Sequence, residues 1–222
     1  MSSIGLFPPN LFDNLSGEKI IEMLKQTKIR ENNKCSPPPP RLPRNFRWKG
    51  TYVVPDLNIR VSFTWTGSNN NIQMIAGSES EPIHFTNLIF DGYLYTLTYK
   101  WPGVTEPPKC LRLFPFTRQD LNQILATSVF VGEEIILNKS CCYNVNHFRF
   151  TIVLPQLPPG NLLRFAISEA DIYVDCDDST KFRKVLHFGY QNLLDPQLDE
   201  WIIIDKIEDE PGFVMLPECC TE

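Results

Sequence analysis

The sequence predicts an all-β fold with minor α: a large antiparallel sheet, one helix inside it and a short one before it. Three observations predict it. From Phe46 onward apolar residues recur with a period of two, the signature of half-buried strands. Turn residues punctuate these runs, as in GSNNN (67–71) and at Asp91–Gly92. Only one internal stretch carries helix signals, so strands do not alternate with helices as βαβ units require.

The elements follow in order. Residues 1–45 form an N-terminal appendage, and 46–222 a single β domain. Within the appendage, SGEKIIEMLKQTK (16–28) has a capping Ser16, and Ile20, Ile21 and Leu24 share one face. Four consecutive prolines (37–40) then favour an extended strap or linker, with proline-motif recognition as a minor reading. Ile59, Val61, Phe63 and Trp65 alternate with Arg60, Ser62 and Thr64, and IQMIA (72–76) returns, so 59–76 reads as a hairpin. IHFTNLIF runs into Asp91–Gly92, and YLYTLTY pairs back.

A Pro-rich loop leads to CLRLFPF (110–116). Thr117 with Asp120 three residues on is a capping-box variant, and it opens the internal helix TRQDLNQILA. SVFVGEEII is the next strand, then VNHFRFTIVL (145–154) with Phe148, Phe150, Ile152 and Leu154 on one face. DIYVD, FRKVLHFG and EWIIIDKI complete about ten strands in a sheet that is curved or closed.

Composition excludes several classes. With 222 residues, 42% hydrophobic and 12% aromatic, the chain can bury a sizeable core and is not disordered overall. A net charge of −5 and a single short basic stretch, RLPRNFRWK, argue against nucleic acid as a partner. No apolar run is long enough for a transmembrane segment. The first residues lack the basic start and unbroken apolar core of a signal peptide.

Seven cysteines pull the other way. Cys35, Cys110, Cys176, Cys219 and Cys220 all fall at element edges, where disulfides can staple strands, and no CxxC or zinc-type spacing occurs. We expect a secretory route, with an intracellular, cytoplasmic protein bearing free thiols as the alternative.

In residue order the chain resembles the ependymin-related proteins, which have the lipoprotein-carrier (LolA-like) fold. The likeness covers roughly residues 35–220. Its elements are Cys35 and the proline run before Trp48–Lys49–Gly50, and a strand into Asp91–Gly92 followed by an aromatic strand. Cys110 then leads an alternating strand, Cys176 follows a strand, and an aromatic–apolar–Pro–Cys ending runs from Phe213 to Cys219.

The resemblance implies a strongly curved sheet, a half-barrel with a deep apolar pocket for a lipid or other hydrophobic small molecule. It also implies a secreted or lysosomal setting, calcium association and a homodimer. It implies the pairs Cys35–Cys176 and Cys110 with Cys219 or Cys220, each closing a loop that contributes roughly 4–5 kcal/mol. The third bridge of the family has no counterpart, and Cys141 and Cys142 have no assigned partners.

On this reading Phe63, Trp65, Met74, Phe85, Tyr95, Phe130, Phe150 and Trp201 line the pocket; the plainer alternative is ordinary core. Asp171, Asp175, Asp177 and Asp178 surround Cys176, and Asp195, Asp199 and Glu200 crowd a later loop. Asp175, Asp177 and Asp178 are the candidate calcium ligands, against a solvated acidic turn, and no other cofactor is expected.

His84, His147 and His187 form no constellation, and Cys142 with His147 lacks an orienting third group. GxSxG, P-loop and GxGxxG motifs are absent from the sequence. Asn14 and Asn138 head Asn-x-Ser sequons, and Asn138, in a turn, is the candidate glycan site. The expectation is a non-enzymatic carrier of a hydrophobic ligand. The alternative is an intracellular β-barrel or β-sandwich interaction module, with an enzyme third.

Overall fold

The structure, a computed structural model, describes residues 36–103, 105, 109–138, 141–152, 168–190, 198–208 and 213–220, with Ser16 and Glu18 alone before them. The predicted N-terminal helix, Cys35, Leu154 and Asp195 lie outside these residues.

Eleven strands form one antiparallel sheet. They are β1 (Phe46–Val54), β2 (Ile59–Ser68), β3 (Asn71–Gly77), β4 (His84–Phe90), β5 (Tyr93–Lys100), β6 (Lys109–Pro115), β7 (Val129–Asn138), β8 (Cys141–Ile152), β9 (Ser168–Asp175), β10 (Asp178–Tyr190) and β11 (Leu198–Glu208). The spatial order is β6-β5-β4-β3-β2-β1-β11-β10-β9-β8-β7. Two meanders, β1–β6 and β7–β11, therefore join where the first strand pairs the last, and β6 and β7 are the two edges. The sheet is open, since β6 and β7 do not pair.

Local chemistry explains the joints. Asp91 and Gly92 both have positive φ (48° and 79°), the geometry of a two-residue hairpin turn that matches strand twist. Gly50 sits at a register shift between β1 and β11, where a Cβ would meet the Ile203 carbonyl oxygen at 1.8 Å. Only a residue without a side chain lets the two meanders close there.

The internal helix α1 (Arg118–Leu125) begins as the sequence predicts. The Thr117 hydroxyl accepts from the Asp120 amide at 3.1 Å, and the Asp120 carboxylate accepts from the Thr117 amide at 2.7 Å. Arg118, buried at the helix start, donates to the carbonyls of Arg44 (2.5 Å), Leu42 (3.4 Å) and Asn69. Leu42 also donates its amide to Asn122 at 2.8 Å. These bonds fasten the helix and residues 42–45 to the β2–β3 turn.

One face of the sheet, here the inner face, carries the main core. It runs through Phe46, Trp48, Phe63, Phe85, Phe148, Phe182 and Ile204 and takes Ile124 and Leu125 from α1. Its centre is aromatic: Trp48 stacks on Phe182 at 5.0 Å and meets Trp65 edge-on at 5.3 Å.

Candidate functional site

The inner face is where the sequence places a ligand, and it holds six of the eight predicted lining residues. Phe63, Phe85 and Phe150 are buried within the main cluster, whereas Trp65, Met74 and Phe130 are half-buried against it. Trp65 and Met74 are cross-strand neighbours, so they present one continuous surface.

Tyr95 and Trp201 fall on the other face. Tyr95 pairs with Leu88 and Arg112, in the same outer-facing set as the Leu97–Cys110 pair, and Trp201 pairs with Leu186. The physical reason is that EWIIID is apolar at both parities, and that Tyr95 and Leu97 alternate toward an outer face that is itself buried, so alternation alone does not say which face carries the main core.

A polar group on the inner face escaped the sequence reading. Asp199 and Glu200 are on β11, not in a loop. Glu200 is half-buried, and burial pushes its carboxyl up to about 7, opposed by a hydrogen bond from Tyr52. Tyr52 packs edge-on against Phe85 at 5.3 Å, so this carboxyl belongs to the apolar face. No spacing in the sequence brings residues 52 and 200 together; only the pairing of β1 with β11 does.

The outer face differs between the two meanders. Over β4–β6, Thr86, Leu88, Tyr95 and Leu97 are buried. Cys110, opposite Leu97, is bonded to Cys220, which ties the terminal segment to this side. The bridge thus takes Cys220, and its neighbour Cys219 is an exposed free thiol. Cys176 is also a free thiol, half-buried, and Cys35, the partner that the resemblance implies for it, lies outside the described residues. Cys176 instead lies 3.8 Å from the Asn146 Oδ1, and burial and the nearby acids push its thiol up.

Over β7–β11 the outer face sets a small apolar cluster of Val145, Tyr173 and Leu186 beside ion pairs. His147, 6% exposed at its side chain, has its Nδ1 2.7 Å from Glu134 Oε1 and its Nε2 3.1 Å from Asp171 Oδ1. Arg149 grips the same Asp171 through two bonds of 2.7 and 3.0 Å. Burial works to raise the Asp171 carboxyl, but the bonds from Arg149 and His147 hold it below the usual carboxylate range. Tyr173 stacks on His147 at 4.5 Å, and burial with the neighbouring Glu134 and Asp171 pushes its phenol up to about 12. His147 is thus bracketed by two carboxylates, while Cys142, five residues away on the same strand, faces the opposite side. The conjectured Cys142–His147 pair does not exist.

Elsewhere, His84 stacks on Tyr99 at 4.3 Å; burial lowers its imidazole, with Glu79 and Glu81 opposing. His187 stands opposite Glu200 in the β10–β11 register. The acidic turn has internal partners. Asp175 takes two bonds from Arg183 at 2.6 and 2.7 Å, and Asp178 accepts from Thr180 at 2.6 and 2.9 Å. Asp177 is exposed in the turn between β9 and β10. Among the described residues no group of three His, Cys, Asp or Glu side chains is placed to hold a metal ion. Asn138 ends β7, opposite Cys141 in the register. No described helix is long and apolar enough to cross a membrane.

No known family model matches the chain, and no curated protein matches it in sequence.

Proposed function

We propose that this protein is a non-enzymatic carrier that holds a hydrophobic, lipid-like molecule against the inner face of its sheet. One observation carries the reading. Around the buried core of that face, Trp65, Met74, Leu94, Leu113, Leu121 and Phe130 remain half-buried. They leave apolar surface from both meanders, and from α1, turned toward the same side.

The carrier reading includes a curved sheet, and a length argument supports the curvature. Eleven strands laid side by side put β6 and β7 roughly 48 Å apart. The chain joining Pro115 to Val129, eight of whose residues are helical, reaches no more than about 37 Å. A sheet that curls toward its inner face shortens the gap this connection has to span, which supports the curved reading. The resemblance in residue order to the ependymin-related proteins points the same way.

The test is purification from the native source without reduction, followed by extraction and mass spectrometry. A stoichiometric lipid or other hydrophobic molecule is the expected result. An empty protein that also fails to take up 1-N-phenylnaphthylamine would sink the proposal.

A second reading, an intracellular interaction module, draws on the free thiols of Cys142, Cys176 and Cys219. Thiol titration of the unreduced, denatured protein separates the two. A count of seven sinks the secretory route, because it means that Cys110 and Cys220 are reduced in the native material.

A further inference from the structure

The outer face of the second meander carries a concavity that the carrier reading does not use. Ile136 and Leu137 of β7 form one wall, and Arg183, Lys184 and Ile203 of β10 and β11 form the other, around a volume of about 180 Å³. Beside it lies a second apolar cluster, in which Val145, Tyr173 and Leu186 are buried and Tyr143 and Trp201 half-buried. Such a volume is below the ~300 Å³ at which drug-sized pockets begin, so an occupant would be small.

Its electrostatics are asymmetric. Arg183 spends its charge on Asp175 while its guanidinium lies 4.0 Å over the Tyr143 ring. Lys184 has no carboxylate partner among the described residues. Its ammonium rests between two rings, 5.6 Å from Tyr173 and 5.7 Å from Trp201. The Trp201 indole N–H is a buried donor with no acceptor among the described residues. Among the described residues Lys184 is thus a cation without a counter-ion beside apolar walls, in a protein whose net charge is −5.

We propose that this concavity is a binding site for a small apolar carboxylate, with Lys184 as its counter-ion. The carboxylate lies against the ammonium, and the short alkyl body packs on Ile136, Leu137 and Ile203. Arg183 stays with Asp175 and shapes the wall. The site is separate from the inner face, so its occupancy does not depend on the carrier reading.

The test uses hexanoate as the probe, with 1-hexanol and hexylammonium as controls, by calorimetry and by the Trp201 indole NMR resonance of the full chain. Hexanoate is expected to bind and shift that resonance, with hexylammonium inert and hexanol weaker by about tenfold. Lys184→Met is expected to lose about tenfold in hexanoate affinity, and Lys184→Arg to retain most of it. Added salt is expected to weaken the binding. The proposal is overturned if hexanoate does not bind, if hexanol binds as tightly, or if Lys184→Met binds hexanoate unchanged. A folded Lys184→Arg that behaves like Lys184→Met also overturns it, because a counter-ion role requires only the charge.

Discussion

The two meanders share an inner core but close their outer faces by different means. Over β4–β6 the chain covers apolar residues and ties its terminal segment down with the Cys110–Cys220 bond. Over β7–β11 it buries His147 and Asp171 and pairs them with Glu134 and Arg149. The covalent solution is indifferent to pH and salt but sensitive to redox state. The ionic solution has the opposite sensitivities. Reducing conditions and acid should therefore loosen different halves of one sheet.

The largest expected effect breaks the covalent side. Cys220→Ser removes a bridge between residues 110 apart, and the chain-entropy model gives a loss of about 5 kcal/mol in denaturant unfolding. Cys219→Ser, next door, should be silent, and a reversed result would mean that the bridge uses Cys219.

The second effect sits at the seam between the meanders. Glu200 titrates in the folded state at about 7, above its ordinary value of 4.5. The unfolded chain therefore gives up this proton first as pH rises. Stability contributed by the neutral carboxyl is full below about pH 4.5, falls as pH rises toward 7, and is lost above it. The span is about 3 kcal/mol, and Glu200→Gln should flatten that stretch of the stability–pH curve.

The third and smallest concerns the ionic side, and its sign is opposite. Asp171 is held below its ordinary range, so its contribution is present above the unfolded value near 3.8 and is lost as pH falls through the lower folded one. Asp171→Asn should cost about 2 kcal/mol at neutral pH, moderated by the half-exposed Arg149. Hydrogen exchange in β7–β9 should rise while β4–β6 stay protected.

What the sequence made legible was whatever depends on near neighbours. The strands read from period two, the Asp91–Gly92 hairpin from its turn residues, and α1 from Thr117 and Asp120. Those signals span only a few positions, and local sterics and hydrogen bonding fix them. What stayed hidden depends on pairing between distant strands. The facing of Tyr95 and Trp201 required knowing which parity the core takes, and register shifts in β7 and β10 change that parity within a strand. The partners Tyr52–Glu200 and His147–Asp171 meet only through register. Between Cys219 and Cys220, adjacent on the chain, spacing offers no preference, and three-dimensional direction decides.

The pairing of β1 with β11 sets the order of events during synthesis. Trp48 and Ile207 are cross-strand partners, so the centre of the sheet cannot close until synthesis has passed Ile207. Until then two unpaired central edges, one on β1 and one on β10, stand exposed on a nascent chain. Contacts of such long range make folding slow and late. They also mean that a ribosome stalling or a protease cutting before residue 198 removes the keystone of the sheet rather than its fringe.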